Sequence, residues 1–415
     1  MLAFFSKHKK VILGILFTAL CILIWRIGVN ITLPFIGYKN PNSGVNMFGF
    51  LDVFAGGALQ SFSIVALGVS PYINASIIIQ LLQMDIVPQF KEWAEEGEAG
   101  KEKLNRWTRY IALLLAFIEG LAIIVGYQVT AIAQQVNILE YIPNTEYTLF
   151  TYVYMALIIT AGTAFILWLS DQITQKGIGN GVSMIIFAGI VKEIPANYSQ
   201  VWGILTEGTV GGEFFNGLLL FIAYVIYTAC IILFVIFFEL SNRKIPIQQS
   251  RASFTQQAKM NYLPIKLNPG GVIPVIFAQA VLSAPVTILG FIDSSSDAYE
   301  TIKNLFSLTH QVNGWPVALI IYVVLIFLFS FMYAHIQIDC DKISESLNKQ
   351  GSYIPGIHAG KETKTYLSKV LNRVTFTGAL CLAFVAAMPY VLPMVFTKLA
   401  GTSFGGTGLI IVVGV

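Results

Sequence analysis

Apolar residues in this chain are gathered into long runs that are separated by short polar stretches. Eight of these runs are long enough to cross a bilayer as helices. A further run begins near Phe404 and stops at Val415, which is too short to span, so we expect the last span to be incomplete in this chain. The eight runs lie near 11–29, 107–127, 149–169, 178–195, 215–238, 271–291, 315–336 and 371–394.

The segment 52–82 is too apolar for a loop and too interrupted for a single membrane helix. Gly57, then Gly68, then the pair Ser70 and Pro71 divide it into two short helical pieces. An interrupted backbone at membrane depth is tolerated only where it is buried in protein or lines an aqueous cavity. The segment therefore marks the first place to look for a pore, and it brings the expected number of spans to ten.

Composition supports the same class of protein. Of the 415 residues, 56% are hydrophobic and 11% are charged, a balance that soluble domains do not have. Twenty of the 25 lysines and arginines fall in the N-terminal tail and in alternate loops. Basic loops of multi-pass proteins face the cytoplasm, so we expect both termini there. Such loops suit an acidic partner surface or anionic lipids.

The sequence carries no common catalytic signature. No G-x-x-x-x-G-K-[ST] motif is present, so we expect no nucleotide hydrolysis by this chain. The four histidines and the four cysteines are scattered, without metal-ligand or disulfide spacing. We therefore expect no catalytic residue, no metal, no cofactor and no nucleic-acid partner, and an enzyme is disfavoured.

Glu119 is an ionisable residue inside a predicted span, in the run LLLAFIEGLAIIV. Intramembrane acids are functional candidates, and a proton-coupled secondary transporter using Glu119 is one alternative function. No second acid or histidine at membrane depth completes a proton relay, which favours a structural role inside the helix bundle. A scaffold for other membrane proteins is a third function, and the interrupted segment 52–84 argues against it.

Six stretches spread over the chain carry longer ordered motifs. They read GGALQSFSIVALGVSPYINASIIIQLL (56–82), EEGEAGKEKLNRWTRY (95–110), ITQKGIGNGVSMIIFAGIV (173–191), YLPIKLNPGGVIPVIFAQAVLSAP (262–285), QGSYIPGIHAGKETKTYLSKVLNRVT (350–375) and FGGTGLIIVVGV (404–415). Together they resemble the SecY family, the channel subunit of protein translocation, nearly from end to end.

The resemblance implies an all-α polytopic membrane protein whose ten transmembrane helices form a clamshell of two halves. Because each half has five spans, the second repeats the first upside down. The expected halves are residues 1–205, with spans 1–5, and 206–415, with spans 6–10. The hinge is expected near 196–214.

The resemblance also implies an hourglass pore that a ring of aliphatic side chains closes at its waist. Two pairs in the ring are spaced i, i+4, so each pair lies on one helix face. A constriction lined by Val and Ile excludes ions by dewetting yet can yield to an extended polypeptide. Periodicity alone would leave these residues as ordinary core. The ring positions are Val69, Ile73, Val182, Ile186, Ile276 and Ile411.

A plug and a lateral gate follow from the same resemblance. The plug corresponds to about 52–63, which is rich in Gly and Ala and is therefore expected to leave its seat at modest cost. The gate corresponds to the half-span Pro71–Met84 and the span 271–291, where Pro274 and Pro285 are expected to weaken the second helix. The plug positions are Asp52, Phe54, Gly56, Gly57, Ala58 and Leu59. The gate positions are Pro71, Asn74, Ile77, Gln80, Pro274 and Gln279.

Two polar, basic loops, 239–270 and 337–369, are expected to project into the cytoplasm and dock a SecA motor or the ribosome. The family usually has P-G-I-R-P-G at the tip of the second loop, and here His358 and Ala359 replace the Arg and the second Pro. The first loop is also poorer in Arg and Lys than usual. The docking positions are Arg243, Lys244, Arg251, Gly356, His358 and Lys361.

These departures resemble the accessory SecY proteins of some Gram-positive bacteria, which export serine-rich glycosylated adhesins with a dedicated SecA. The alternative is a housekeeping SecY for general secretion. Either way the resemblance implies a multi-pass protein of the bacterial plasma membrane. The implied partners are a SecA-type ATPase, expected to be an accessory one, SecE-like and SecG-like small subunits or accessory Sec proteins, a secretory preprotein and anionic lipids.

Overall fold

Most of the described chain is helical in the computed structural model. The residues that the structure describes are 9–34, 55–59, 61–84, 86–133, 149–206, 212–249, 261–288, 297–306, 308, 316–358, 360–395, 408, 411 and 414. The helices are α1 (Lys9–Val29), α2 (Ser70–Leu82), α3 (Pro88–Glu95), α4 (Glu98–Ala133), α5 (Leu149–Lys176), α6 (Gly181–Thr206), α7 (Gly212–Leu240), α8 (Ile273–Ile288), α9 (Asp297–Phe306), α10 (Val317–Gln337), α11 (Cys340–Lys349) and α12 (Lys361–Val395). The strands are β1 (Asn242–Gln249), β2 (Asn261–Lys266) and β3 (Ser352–Tyr353).

Within the described ranges, six helices are long and apolar enough to cross a membrane: α1, α4, α5, α7, α10 and α12. Their large apolar side chains are widely exposed on the protein surface, with Phe237 of α7 at 75%. That surface suits lipid, because only helices and closed barrels satisfy their backbone groups in a bilayer. The shorter apolar helices α2 and α8 occupy two more predicted spans.

The two remaining predicted spans are not among these eight apolar helices. Helix α6 runs from Gly181 to Thr206 and carries Lys192, Glu193 and Pro195, so it is less apolar than the six. The predicted run from Phe404 lies almost wholly outside the described residues. Nine of the ten predicted spans therefore coincide with a helix, which is consistent with a count of ten.

The described part of the interrupted segment between Gly56 and Val69 is not helical. The described residues from Gly56 to Val69 form turns and one isolated bridge, and regular helix begins only at Ser70. Glycines with positive φ at positions 56, 57 and 68 explain the difference, because such backbone does not fit a right-handed helix.

The described chain divides into two compact units. The first comprises 1–196, 280–318 and 415, and the second comprises 197–279 and 319–414, so the boundary falls inside α6. The expected division at residue 205 stays a prediction.

In the first unit, α4 packs against α2, α3 and α5, and α5 packs against α1. Small residues permit these close approaches. A Cβ added at Gly162 of α5 would overlap the carbonyl oxygen of Ile64, and one at Gly181 would overlap that of Ser170. Gly120 of α4 lies 3.7 Å, measured from an ideal Cβ, from the Cα of Ala156.

The second unit contains a feature that the sequence did not predict. The polar loops form a three-stranded antiparallel sheet of order β2-β1-β3, which pairs Arg243 with Ile265 and Gln248 with Tyr353. Beneath it lies a hydrophobic core to which Ile245, Ala334 and Leu371 contribute. We call the residues 242–249, 261–266 and 338–360 the loop domain. The fold is thus predominantly helical with a small added sheet.

Candidate functional site

Five helices of the described chain begin within two residues after a glycine of positive φ, and in α2, α6 and α8 that glycine lies two residues before the first helical residue. Gly68 (φ 55°) precedes α2, Gly179 (φ 72°) precedes α6, and Gly271 (φ 57°) precedes α8. These backbone conformations are strained for any residue with a Cβ. The glycines therefore fix where each helix starts.

Four of the predicted ring positions lie in or next to the first turn of these helices: Val69, Ile73, Val182 and Ile276. Ile186 is the sixth residue of α6, and Ile411 lies outside the three helices. Val69 is the N-cap residue of α2, and the N–H of Ile73 donates to the Val69 carbonyl at 3.2 Å. Val182 is the second residue of α6, and Ile276 is the fourth of α8. The shared placement gives the four positions a common local geometry.

Burial of the ring positions is uneven. Val69, Ile73, Ile186 and Ile411 are buried, whereas Val182 and Ile276 are half-buried. The pairs on α2 and α6 belong to the first unit, and Ile276 and Ile411 belong to the second. Their convergence on one constriction stays a prediction.

The described part of the predicted plug, 55–59, is packed inside the first unit. Ala55, Ala58 and Leu59 are at most 1% exposed. A Cβ added at Gly56 would lie 2.6 Å from the Trp25 ring and 3.0 Å from the Cα of Gly189. The seat therefore admits glycine alone at position 56. The predicted plug positions Asp52 and Phe54 lie outside the described residues.

Lys192 of α6 contacts this segment directly. Its Nζ donates to the Gly56 carbonyl oxygen at 3.0 Å, and a Cβ at Gly57 would overlap that Nζ. Sequence reasoning missed Trp25, Gly189 and Lys192 as the seat of the segment. The available signal was the charge of Lys192 at the end of the apolar run 182–191.

The other end of the segment is fixed by backbone hydrogen bonds to the residues after α1. The Leu33 N–H donates to the Phe62 carbonyl at 2.7 Å, and the Ile64 N–H donates to the Ile31 carbonyl at 2.9 Å. The Ser61 hydroxyl donates to the Val29 carbonyl at 3.1 Å. Residues 61–64 are thus anchored to the chain after α1, whereas 55–59 are held by packing, by Lys192 and by hydrogen bonds from residues 61–63 of the same segment.

Among the predicted gate positions, Asn74 has the most informative contact. Its Nδ2 donates to Oε1 of Glu119 at 2.7 Å, which joins α2 to α4. Glu119 is 8% exposed. Pro71 and Ile77 of α2 are buried, and the Gln80 amide donates to the Ser76 hydroxyl at 3.2 Å.

The gate positions on α8 correct one expectation. Pro274 is the second residue of the helix, where no intrahelical hydrogen bond is lost, so it does not weaken the helix interior. Pro285 does lie inside the helix. Gln279 is buried and its amide donates to the Tyr390 hydroxyl at 3.4 Å. Contact between α2 and α8 across a gate stays a prediction.

The described docking positions lie on the loop domain or directly beside it. Arg243 and Lys244 lie exposed on β1, and Lys361 is the exposed first residue of α12. The pairing of β1 with β3 joins the two loops into one body. Arg251 lies outside the described residues.

The tip of the second loop is anchored although His358 is exposed. The His358 N–H donates to the Glu362 carboxylate at 3.3 Å, and the Thr363 hydroxyl donates to the His358 carbonyl at 2.9 Å. The Ser344 hydroxyl donates to the Gly360 carbonyl at 2.8 Å. Gly356 has a φ of 82°, which favours glycine at the turn. The tip thus presents His358 to solvent from a fixed backbone.

Comparison with known proteins gives the family. The family model described as SecY matches residues 63–415. The protein translocase subunit SecY of Halalkalibacterium halodurans is 41% identical over 411 residues, covering 97% of this chain and 91% of that protein. The SecY subunits of Bacillus subtilis (40% over 410 residues, 97% and 91% covered) and Streptococcus gordonii (39% over 412, 98% and 91%) are similarly close.

Solved structures agree on the fold. A structure described as a protein conducting channel superposes with a TM-score of 0.63 at 19% identity, covering 97% of this chain and 90% of that one. Canine Sec61, from a ribosome–channel complex of the endoplasmic reticulum, gives a TM-score of 0.59 at 18% identity with the same coverage. The fold defines a multi-pass membrane protein built like the protein-conducting channels. The chain belongs to the SecY family of protein translocase subunits, which confirms the resemblance and the fold class.

We predict that Lys192 holds the 55–59 segment in its seat. In a chain without native cysteines, Ala58→Cys should react with a maleimide about fivefold faster when Lys192→Met is added. The reason is that a hydrogen bond from a charged donor, partly exposed, contributes about 1 kcal/mol. Lys176→Met, which removes an exposed charge at the end of α5, is the control. An unchanged labelling rate with Lys192→Met would show that packing alone holds the segment.

Proposed function

We propose that this chain is the central pore-forming subunit of a preprotein translocase in a bacterial plasma membrane. It passes unfolded secretory polypeptides across the membrane and opens laterally for signal sequences. The observation that carries the proposal is the turn segment 56–69, buried within a membrane unit and followed by the short helix α2. Irregular backbone at that depth belongs to a pathway through the protein rather than to an anchor.

The aliphatic ring is the seal of the proposed pore. Val69, Ile73, Val182, Ile186, Ile276 and Ile411 offer no directional bonds, so their side chains do not select a substrate sequence. A dry waist of such residues blocks ions and yields to an extended chain. The glycines before α2, α6 and α8 support a similar position near the helix start for Val69, Val182 and Ile276.

The plug of the proposed pore is the segment that includes 55–59. Four of the five residues from 55 to 59 are Ala or Gly, and each of these buries little apolar area when seated. Its anchored end at 61–64 gives it a fixed attachment from which the seated part can move. Release requires breaking the Lys192 hydrogen bond and the packing on Trp25.

The gate is formed by α2 and α8, and the Asn74–Glu119 bond connects α2 to the rest of its unit. That bond also argues against a proton-coupled transporter. One carboxylate oxygen of Glu119 accepts from an uncharged amide, and the other has no hydrogen-bond partner among the described residues, so no second titratable group is bonded to this carboxylate. Glu119 is better explained as a joint between two helices.

An external motor drives transport in this proposal, because the sequence has no phosphate-binding motif of its own. We infer that a SecA-type ATPase docks on the loop domain through Arg243, Lys244 and the His358 tip. SecE-like and SecG-like small subunits complete the complex. The basic loops support a cytoplasmic location for both termini.

Of the two kinds of SecY, the housekeeping one, which serves general secretion, is better supported. Relatives from several bacteria, at 39–41% identity, bear the plain name protein translocase subunit SecY. Export of glycosylated adhesins with an accessory motor is the second candidate. It rests on His358 and Ala359, which stand where the family usually has Arg and Pro.

We predict that the ring seals the resting channel against ions. Ile73→Gly combined with Ile186→Gly should raise the resting conductance of the purified complex in planar bilayers at least tenfold, because a dry constriction becomes wettable. The control is Ile79→Gly with Ile185→Gly, which makes the same change at other buried positions of α2 and α6. Equal conductance of the two double variants would remove the ring from the mechanism.

We predict that this channel works with a housekeeping motor. Membranes carrying it should stimulate the ATPase of a housekeeping SecA strongly, and His358→Arg should change that stimulation by less than about twofold, because His358 is one exposed side chain among several basic contacts. Gln350→Arg, which adds the same charge elsewhere on the loop domain, is the control. Weak stimulation of the housekeeping motor, a preference for an accessory one, and rescue by His358→Arg would favour the accessory candidate instead.

A further inference from the structure

An open cavity of about 630 Å³ lies between α10 and α12 in the second unit. The two helices touch beside it, where the rings of Phe327 and Phe376 lie 6.0 Å apart. No residue of the proposed pore, plug, gate or docking surface lines this cavity. Its lining residues are Phe331, His335, Asn372, Arg373, Phe376 and Thr377.

One part of the lining is cationic and polar. Arg373 is exposed, and none of the salt bridges between described residues includes its guanidinium. Asn372 adds an exposed amide beside it. Nδ1 of His335 is bonded to the Phe331 carbonyl at 2.8 Å, so it carries the proton. A guanidinium fork with neighbouring donors matches the geometry of a phosphate group.

The rest of the neighbourhood is apolar and elongated. On α12, Phe376, Leu380 and Phe384 are each more than half exposed and follow Arg373 at helical spacing. On α10, Leu328 and Val324 are also more than half exposed and lead away from His335. Each helix therefore presents an apolar stripe that ends at a basic residue.

The basic ends of both stripes lie next to the loop domain. Helix α10 ends at Gln337, just before the loop domain, and α12 follows it. Ala334 and Val374, neighbours of the cavity residues in sequence, belong to the core beneath the sheet. The cavity is thus at the level where membrane helices meet an aqueous domain, which is where lipid headgroups lie.

We propose that this cavity binds an anionic phospholipid, with the phosphate on Arg373 and the acyl chains along the exposed stripes of α10 and α12. Basic pockets between membrane helices on the cytoplasmic side are suited to acidic headgroups. The bound lipid joins the two helices directly under the loop domain. It is a specific site, in addition to any general attraction of the basic loops, and it does not depend on the proposed translocation function.

The test is photocrosslinking of the full chain in nanodiscs. A diazirine phosphatidylglycerol and the matched diazirine phosphatidylcholine are compared at equal mole fraction, and crosslinked peptides are identified by mass spectrometry. Phosphatidylglycerol should label the peptide that contains Phe376 about fivefold more than phosphatidylcholine, as one basic contact near a membrane surface implies.

Variants make the test specific. Arg373→Gln should abolish the preference, Arg373→Lys should retain part of it, and Arg106→Gln, at an exposed arginine of α4, should leave it unchanged. Excess inorganic phosphate should not reduce labelling, because a free anion lacks the acyl contacts. Equal labelling by the two lipids, or a preference that survives Arg373→Gln, would overturn the proposal.

Discussion

A main chain that leaves its helix inside a membrane protein must find its hydrogen bonds elsewhere in the protein. Two sets of hydrogen bonds meet this requirement for the segment 56–69. The residues after α1 pair with Phe62 and Ile64 through backbone bonds, and Lys192 of α6 donates to the Gly56 carbonyl. Glycines on both sides of these contacts remove the Cβ atoms that would obstruct them. The placement of α1, α5 and α6 around the segment follows from this requirement.

Two kinds of interaction restrain this segment. The backbone hydrogen bonds at 61–64 do not depend on which side chains are present. The seat of 55–59, in contrast, depends on the particular residues Trp25, Gly189 and Lys192. A proposed plug needs both, since it must stay attached when it leaves its seat. The loop domain shows a similar combination: a hydrophobic core fixes its backbone, and its charged side chains remain exposed for a partner.

Apolar run length predicted the membrane helices well, because a bilayer imposes a minimum length and excludes charge. The sequence also located the interruption before α2, since Gly68 and Pro71 are local signals. It did not predict the strands: β1 and β2 are short and rich in polar residues, and only Ile245 and Ile265 show which face is buried. Nor did it find the Lys192 contact, because a hydrogen bond across 136 residues leaves no local pattern. The role of Pro274 was misjudged, because the exact start of α8 depends on Gly271.

The central claim is that a polypeptide passes the aliphatic side chains at the starts of α2 and α6. The most direct measurement is crosslinking of a stalled secretory chain to a cysteine at position 186, with a cysteine at the exposed position Leu157 of α5 as the comparison. The account predicts an adduct from Ile186→Cys that requires the stalled chain and an ATPase motor, and none from Leu157→Cys. Adducts of equal yield at both positions, or none at 186 while the stalled chain remains bound to the complex, would contradict it.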